Sequence, residues 1–397
     1  MALNNLLSFV NIIKSIGGIL LAVVILLVMV TVHELGHYIA GKILKFKITE
    51  FSIGFGPALF KKRSKKTGEL FAVRLVPLGG YCAFDGEDEF EEKKPEEPFE
   101  ETTPTVQEQH TDGVEDTDEY PEPVGARFND QAPWKRIIVL LAGVTMNYIL
   151  SVLLIITMFA GFGRTVYRIQ VEKPEENQTQ TLIAESGLQT GDIVLSVDGE
   201  TPYLITDYVD ILNGKKAGDT LTFTVLADGE TIERKVTLLE DASFVNMSDT
   251  QTLLKTLGIY GMYSETHKEG FFQTIGSSFV YSFKIGGTLL RSLGELLTGK
   301  MGLEAMGGPV TTIKVTSQVA STSFASFLNI FAFIGVNLAV FNLLPVPALD
   351  GCKVIFCIIE WIRKKPINRK VETIINLAGL LFLFGFAILV DVLQFVL

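Results

Sequence analysis

Cysteine is scarce in this chain: Cys82, Cys352 and Cys357 are the three among 397 residues, and no two of them form a CxxC pair. A disulfide framework is excluded on that ground. Histidine is nearly as rare, with four in all: His33, His37, His110 and His267. Charged residues make up 20% of the chain against 48% hydrophobic, and the mean hydropathy is +0.34. That balance suits a membrane protein with several spans and some soluble mass. Inverted repeats of the kind common in transporters are not evident, which weighs against reading the intramembrane charges as an ion path.

The formal net charge of −11 is concentrated in one place. Residues 85–122 hold 17 acidic side chains and two basic ones, Lys93 and Lys94, a local balance of −15, so the rest of the chain carries +4. Pro95, Pro98, Pro104, Pro121 and Pro123 interrupt the same stretch, and apolar residues are few. The segment 85–127 reads as an acidic, disordered insert, a solvated loop rather than a binding element. Nucleic acid is not among the expected partners.

Crossing a bilayer takes about 20 apolar residues, and four stretches reach that length: about Ile16 to Leu44, Ile137 to Phe162, about Phe324 to Leu344, and about Ile374 to Leu397. Lys14 gives the first run the look of a signal peptide. The run exceeds a signal's apolar core, however, and continues into HELGH without a clear cleavage site, so it reads as retained. Lysine and arginine in short loops mark the cytoplasmic side. They gather at Lys61, Lys62, Arg63, Lys65, Lys66, Lys135 and Arg136 between spans one and two, and at Arg363, Lys364, Lys365, Arg369 and Lys370 between spans three and four. Both termini, and the stretch from about Gly163 to Ser323, then face outward.

The first span ends in VHELGHYIAG, residues 32–41. On a helix, two histidines four residues apart lie about 40° apart in azimuth and about 6 Å apart along the axis, so His33 and His37 reach one ion. Glu34 between them is placed to hold a water and take its proton. An ionisable residue near the middle of a span costs roughly 2.5–3.5 kcal/mol, and three within five residues argue for function. The competing reading has histidines snorkelling at the interface beside Lys42 and Lys45. Catalytic zinc takes a third protein ligand as well as water. His110 in the acidic insert and His267 in a polar stretch read as surface residues, which leaves Asp350 in NLLPVPALDGCKVIF, residues 342–356. Pro345 and Pro347 should interrupt the helix there and turn this carboxylate inward. A helix-start cap is the plainer role for Asp350, and the two do not exclude each other.

HELGH in the first span, joined with LDG some 310 residues later, resembles the site-2 protease family of intramembrane zinc metalloproteases, specifically the bacterial regulator of sigma-E protease type. FSIGFGP (51–57), VRLVPLGGYC (73–82), FNDQAPWKRIIVLLAGVTMNYILS (128–151), GGPV (307–310) and NLAVFNLLPVPALDG (337–351) carry the likeness in the family's order. The resemblance implies Zn2+ as cofactor, His33, His37 and Asp350 as its ligands, and Glu34 as general base. It places Asn342 and Asn337 towards the substrate; as buried amides they would hydrogen-bond its backbone or steady the carbonyl oxyanion. Interhelical hydrogen bonding is the alternative role for both. Two departures stand out. Val144 occupies the place after Gly143 where the family commonly has proline, and Cys352 follows Asp350-Gly351 where the family often has a second glycine.

Phe71, Val73 and Leu75 alternate with Ala72 and Arg74 after a basic turn around Thr67-Gly68, the pattern of a β-hairpin. The resemblance implies a sheet that folds back into the membrane beside the active site, where a free edge would take an unwound substrate as an added strand. The alternative is a hairpin resting on headgroups through Lys61 to Lys66. IAESGLQTGDIVLSVDGETP (183–202) looks like part of a PDZ domain, and one such domain fits the outer segment.

The expected fold is therefore a polytopic α-helical membrane protein of about four spans, with a membrane-associated β-hairpin or sheet and one extracytoplasmic α+β PDZ domain. Its divisions are 1–46 (first span with HELGH), 47–84 (hairpin region), 85–127 (acidic insert), 128–163 (second span) and 164–240 (PDZ domain). They continue with 241–323 (interfacial helices, including an amphipathic pair over 271–297), 324–362 (third transmembrane region with LDG) and 363–397 (fourth span). The expected activity is zinc endopeptidase cleavage of single-span membrane proteins, such as anti-sigma factors or remnant signal peptides, in regulated intramembrane proteolysis. Expected surroundings are the lipid bilayer of a bacterial inner membrane, with the active site towards the cytoplasm, and an upstream site-1-type protease. A transporter and a catalytically dead scaffold are the competing classes.

Overall fold

The computed structural model describes residues 2–87, 120–172, 182–303 and 307–396. Its first half runs α1 (Ala2–Ile43), β1 (Ile48–Arg63), β2 (Leu70–Phe84), α2 (Pro133–Phe162), β3 (Arg164–Gln170), β4 (Ile193–Val197), α3 (Ile205–Leu212) and β5 (Thr220–Ala227). The second half runs β6 (Glu230–Thr237), α4 (Thr250–Leu257), β7 (Gly261–His267), α5 (Phe271–Leu297), α6 (Pro309–Ala320), α7 (Phe324–Leu343), α8 (Asp350–Arg363) and α9 (Arg369–Val396). Among the described residues, four helices are long and apolar enough to cross a membrane: Ile16–Ile43 of α1, α2, α7, and Arg369–Gln394 of α9. Exposed Ile374, Leu377, Leu381, Phe382 and Phe384 on α9 are what a lipid-facing helix requires. The chain is a multi-pass membrane protein.

Two bodies make up the structure: Met1–Ala22 with Asn147–Val340 and Phe386–Leu397, and Val23–Met146 with Phe341–Gly385. The first contains a five-stranded antiparallel sheet in the order β6-β5-β4-β3-β7. Leu221, Phe223 and Val225 alternate inward on β5, and pack with Val194, Val197, Tyr208, Leu212 and Val236. Asp228-Gly229 joins β5 to β6 as a two-residue turn with φ of +49° and +86°, the left-handed pair such a tight hairpin demands.

This sheet extends past the expected limit at residue 240. Leu253, Leu257 and Ile259, on and just after α4, belong to the same core, and β7 pairs along β3 from Arg164↔His267 to Gln170↔Gly261. The reading of 241–323 as interfacial helices therefore fails over 241–267. GMYSETH is too polar to announce a strand, and only its place at the sheet edge makes it one. The expected helix pair over 271–297 is one continuous helix, α5. Its Gly286 permits close packing rather than a break, since a Cβ there would lie 3.2 Å from Val340 Cγ2. Thr274, Ser277, Ser278, Tyr281 and Ile285 form its buried face. Tyr281 and Ile285 meet Ile155, Phe159, Leu328 and Ala332. A buried ion pair, Arg164 Nε to Glu269 Oε1 at 2.6 Å, joins the start of β3 to the lead-in of α5, and Ser277 donates to Glu269 at 2.6 Å.

In the second body, β1 and β2 form the expected hairpin but bend on themselves. Antiparallel partners run from Ala58↔Arg74 to Arg63↔Leu70 and again from Ile48↔Phe84 to Ile53↔Gly80, while Glu50↔Leu70 to Ile53↔Val73 advance in step. Two long strands thus make four short segments, ordered 58–63, 70–74, 48–53, 80–84. Arg74 binds these segments at one point. Its guanidinium donates to Glu50 Oε1 at 2.6 Å, Ser52 Oγ at 2.9 Å and the Gly56 carbonyl at 2.8 Å, and stands over the Tyr81 ring. Buried Glu69 fixes the hairpin to α1 by accepting from Tyr38 at 3.0 Å and Lys42 at 2.6 Å.

Most of the acidic insert, 88–119, lies outside the described residues. Its two ends are structured, so the expected boundaries 85–127 are too wide. Asp85 pairs with Lys47 at 2.8 Å, a contact that holds its carboxyl below the usual range, and Glu87 pairs with Lys353 at 2.7 Å. Ala126 bridges to Phe46.

Candidate metal centre

The second body brings HELGH and LDG together. His33 and His37 are both 7% exposed on α1, with Nε2 atoms 3.1 Å apart. Asp350 Oδ2 lies 2.9 Å from His33 Nε2 and 3.4 Å from His37 Nε2. Among the described residues these three form a group whose donor atoms all lie within 4.8 Å of one another.

Local chain chemistry delivers Asp350. Helix α7 stops at Leu343, and Pro345 and Pro347 prevent its continuation. The connecting turn places Ala348 at φ +77°, where its N–H donates to Asn376 Oδ1 of α9 at 3.2 Å. Helix α8 then begins with Asp350 as its first residue and Leu349 as its cap, so the plainer capping role for Asp350 is not the one seen. Gly351 admits no side chain, because a Cβ there would come within 2.5 Å of backbone atoms of Leu343 and Leu344.

The donor set suits zinc. Four-coordinate zinc with bonds of about 2.0–2.1 Å sets its ligands about 3.3–3.4 Å apart, close to the observed separations. Two imidazoles and one carboxylate are the nitrogen and oxygen donors that zinc accepts in place of magnesium or calcium, and three donors leave a position for water. His37 is pre-set for this role. Its Nδ1 lies 2.8 Å from the Val139 carbonyl, which can only accept, so Nδ1 carries a proton and, in the neutral ring, Nε2 keeps its lone pair.

Helix α2 closes the site from one side. At Gly143 a Cβ would stand 2.7 Å from two ring atoms of His37 and 2.9 Å from His33 Cε1. At Gly36 a Cβ would meet the Ala142 carbonyl oxygen at 2.4 Å. Small residues therefore let α1 and α2 cross backbone to backbone with the imidazoles in between. Sequence reasoning missed Val139 and Gly143. The Ala142-Gly143 pair was the available signal, whereas a backbone carbonyl leaves none. Val144 is buried and the helix runs through it unbroken. The sheet closes another side: a Cβ on Gly80 would meet the Ser52 carbonyl oxygen at 2.7 Å and stand 3.5 Å from Glu34 Cγ, so this glycine brings the strand backbone up to the Glu34 side chain.

The other candidates fall elsewhere. Asn342 is half-buried near the end of α7, in the body that holds the donors. Asn337 belongs to the other body, and its Oδ1 is buried without a hydrogen-bond partner among the described residues. His110 lies outside the described residues. His267 ends β7, and Cys352 is buried without joining the donor group.

The model for peptidase family M50 matches residues 21–386. The zinc metalloprotease RasP of Bacillus licheniformis is 29% identical over 405 residues, covering 88% of this chain and 92% of the relative. The regulator of sigma-W protease RasP of Bacillus subtilis is 28% identical over 422 residues, covering 93% and 96%.

Proposed function

Since the chain belongs to peptidase family M50 and is a zinc metalloprotease, we propose that His33, His37 and Asp350 hold the zinc and that Glu34 is the catalytic base of an intramembrane endopeptidase. The convergence of three donors from two distant stretches of chain, with a carboxylate one residue from the first, carries this reading. When bound there, zinc supplies Lewis-acid polarisation of a carbonyl and acidifies water. Glu34 takes a proton from the attacking water as its oxygen bonds to the scissile carbon, and returns that proton to the leaving amine as the C–N bond breaks. The Val139 carbonyl keeps the His37 ring in one tautomer and orientation throughout. Asn342, in the body that holds the donors, supplies an amide for the substrate backbone.

A helical substrate hides its carbonyls in its own hydrogen bonds, so it must be unwound before attack. The 80–84 segment edges the folded sheet and lies against Glu34 at Gly80, which favours it as the strand that accepts the unwound chain. Single-span membrane proteins are the substrate class, anti-sigma factors and remnant signal peptides among them; the sigma-W regulator of Bacillus subtilis points the same way. The reaction is a step in regulated intramembrane proteolysis in a bacterial inner membrane. The basic loops set the catalytic side towards the cytoplasm. The sheet of the first body, 164–267, is a PDZ domain on the outer side, where it admits substrates already trimmed by a site-1-type protease.

Asp350→Asn and His33→Ala test the ligand assignment. Each variant should copurify with well under one zinc per chain and lose cleavage of a tagged single-span substrate. Full zinc content in both variants would remove these residues from the metal site.

A further inference from the structure

Helix α8 has a face that the protease mechanism does not use. Ile355, Ile358, Trp361 and Ile362 lie within an arc of about 120° and are exposed, Trp361 by 56% and Ile362 by 77%. Cys352, Cys357 and Glu360 occupy the opposite, buried face. Glu360 is the anchor there: it pairs with Arg136 and, at 3.0 Å, with Arg369, and accepts the Ile367 N–H at 2.9 Å. The charge of Arg369 is thereby committed. Arg363, Lys364, Lys365 and Lys370 are exposed and form no ion pair among the described residues, so four unpaired cations gather where the apolar stripe ends. The bilayer is close at this point. Helix α9 starts its crossing at Arg369, six residues beyond the end of α8.

We propose that the C-terminal end of α8 and the loop to α9 form a binding site for anionic phospholipid headgroups, with Trp361 and Ile362 in the acyl boundary and Arg363, Lys364, Lys365 and Lys370 on the phosphates. An apolar stripe supplies attachment to any bilayer, whereas the unpaired cations select for net negative charge and weaken with salt. Tryptophan at the stripe's end is the side chain suited to the headgroup level. The site stands on the helix whose other end is Asp350, so a headgroup that holds 361–365 also steadies the element bearing that carboxylate.

The two tryptophans of the chain, Trp134 and Trp361, give a direct readout. A full-length Trp134→Phe variant, reconstituted in bilayers containing a small fraction of brominated phosphatidylglycerol or of brominated phosphatidylcholine, reports lipid next to Trp361 by fluorescence quenching. The site predicts at least twofold stronger quenching by the anionic lipid, reduced by salt and abolished when Arg363, Lys364, Lys365 and Lys370 are all replaced by glutamine. Equal quenching by the two lipids, or a preference that survives the fourfold replacement, overturns it. A preference that emerges only after the acidic residues of 88–119 are neutralised also overturns it, since the chain's own acidic segment is then the occupant. Quenching needs neither zinc nor cleavage, so its outcome stands apart from that of the protease reading.

Discussion

At the scale of single residues, the side chains that cluster at the candidate site were legible and their supports were not. HELGH at the end of an apolar run and a lone aspartate after two prolines are signals in residue type and spacing, and both led to residues that share one site. The Val139 carbonyl is backbone, which every residue possesses, so no sequence pattern marks it. Gly143 was visible only as a small residue in an apolar helix. Its importance comes from the crossing of α1 and α2, a property of three dimensions. Gly143→Ala therefore makes a sharp prediction. The added methyl would stand 2.7 Å from His37 ring atoms, and overpacking of this kind costs about 1–3 kcal/mol. Zinc affinity should fall by about 5- to 150-fold, read by competitive zinc titration of the purified protein. Affinity unchanged within twofold would mean that α2 yields easily at this point.

At the scale of elements, helices and the hairpin followed from period and alternation, while elements made by context escaped. β7 is polar and is a strand because β3 offers it an edge; α5 is unbroken because its glycine serves packing. Helix α8 belongs to the same class. Its boundary at Asp350 was foreshadowed by Pro345 and Pro347, but what holds its far end is the buried Glu360 between Arg136 and Arg369, residues more than 200 positions apart in the first pair. Glu360→Gln leaves Arg136 buried without its counter-charge, for which a loss of about 3–5 kcal/mol is expected. Thermal unfolding in detergent should show a clear fall in Tm, and a paired replacement of Arg136 and Glu360 by methionine and leucine should recover much of it. A Glu360→Gln variant as stable as the parent would show that solvent reaches this pair.

At the scale of the whole molecule, the span count and the order of soluble and membrane parts could be read from hydropathy, because burial in lipid requires about 20 apolar residues per helix. The extent of the five-stranded sheet could not, since its closing strand arrives some 90 residues after its first. The structure defines where that domain can be removed. Arg164 and His267 are paired across adjacent strands, so excision of 164–267 leaves two neighbouring ends, whereas removal of 166–239 strands Leu253, Leu257 and Ile259 without their core. Excision of 164–267 should preserve zinc content and make an untrimmed single-span substrate as good as a trimmed one. If the two substrates keep their original ratio of cleavage rates, this domain is no filter.

The central claim is that Glu34 acts on water beside zinc held by His33, His37 and Asp350. Metal content and cleavage measured together, for the parent protein and for Glu34→Gln in liposomes with a tagged single-span substrate, test it most directly. Glutamine preserves shape but cannot take a proton, so the variant should retain about one zinc per chain while its cleavage rate falls by roughly 10²–10⁴-fold. Cleavage that persists in Glu34→Gln at full zinc occupancy would contradict the account.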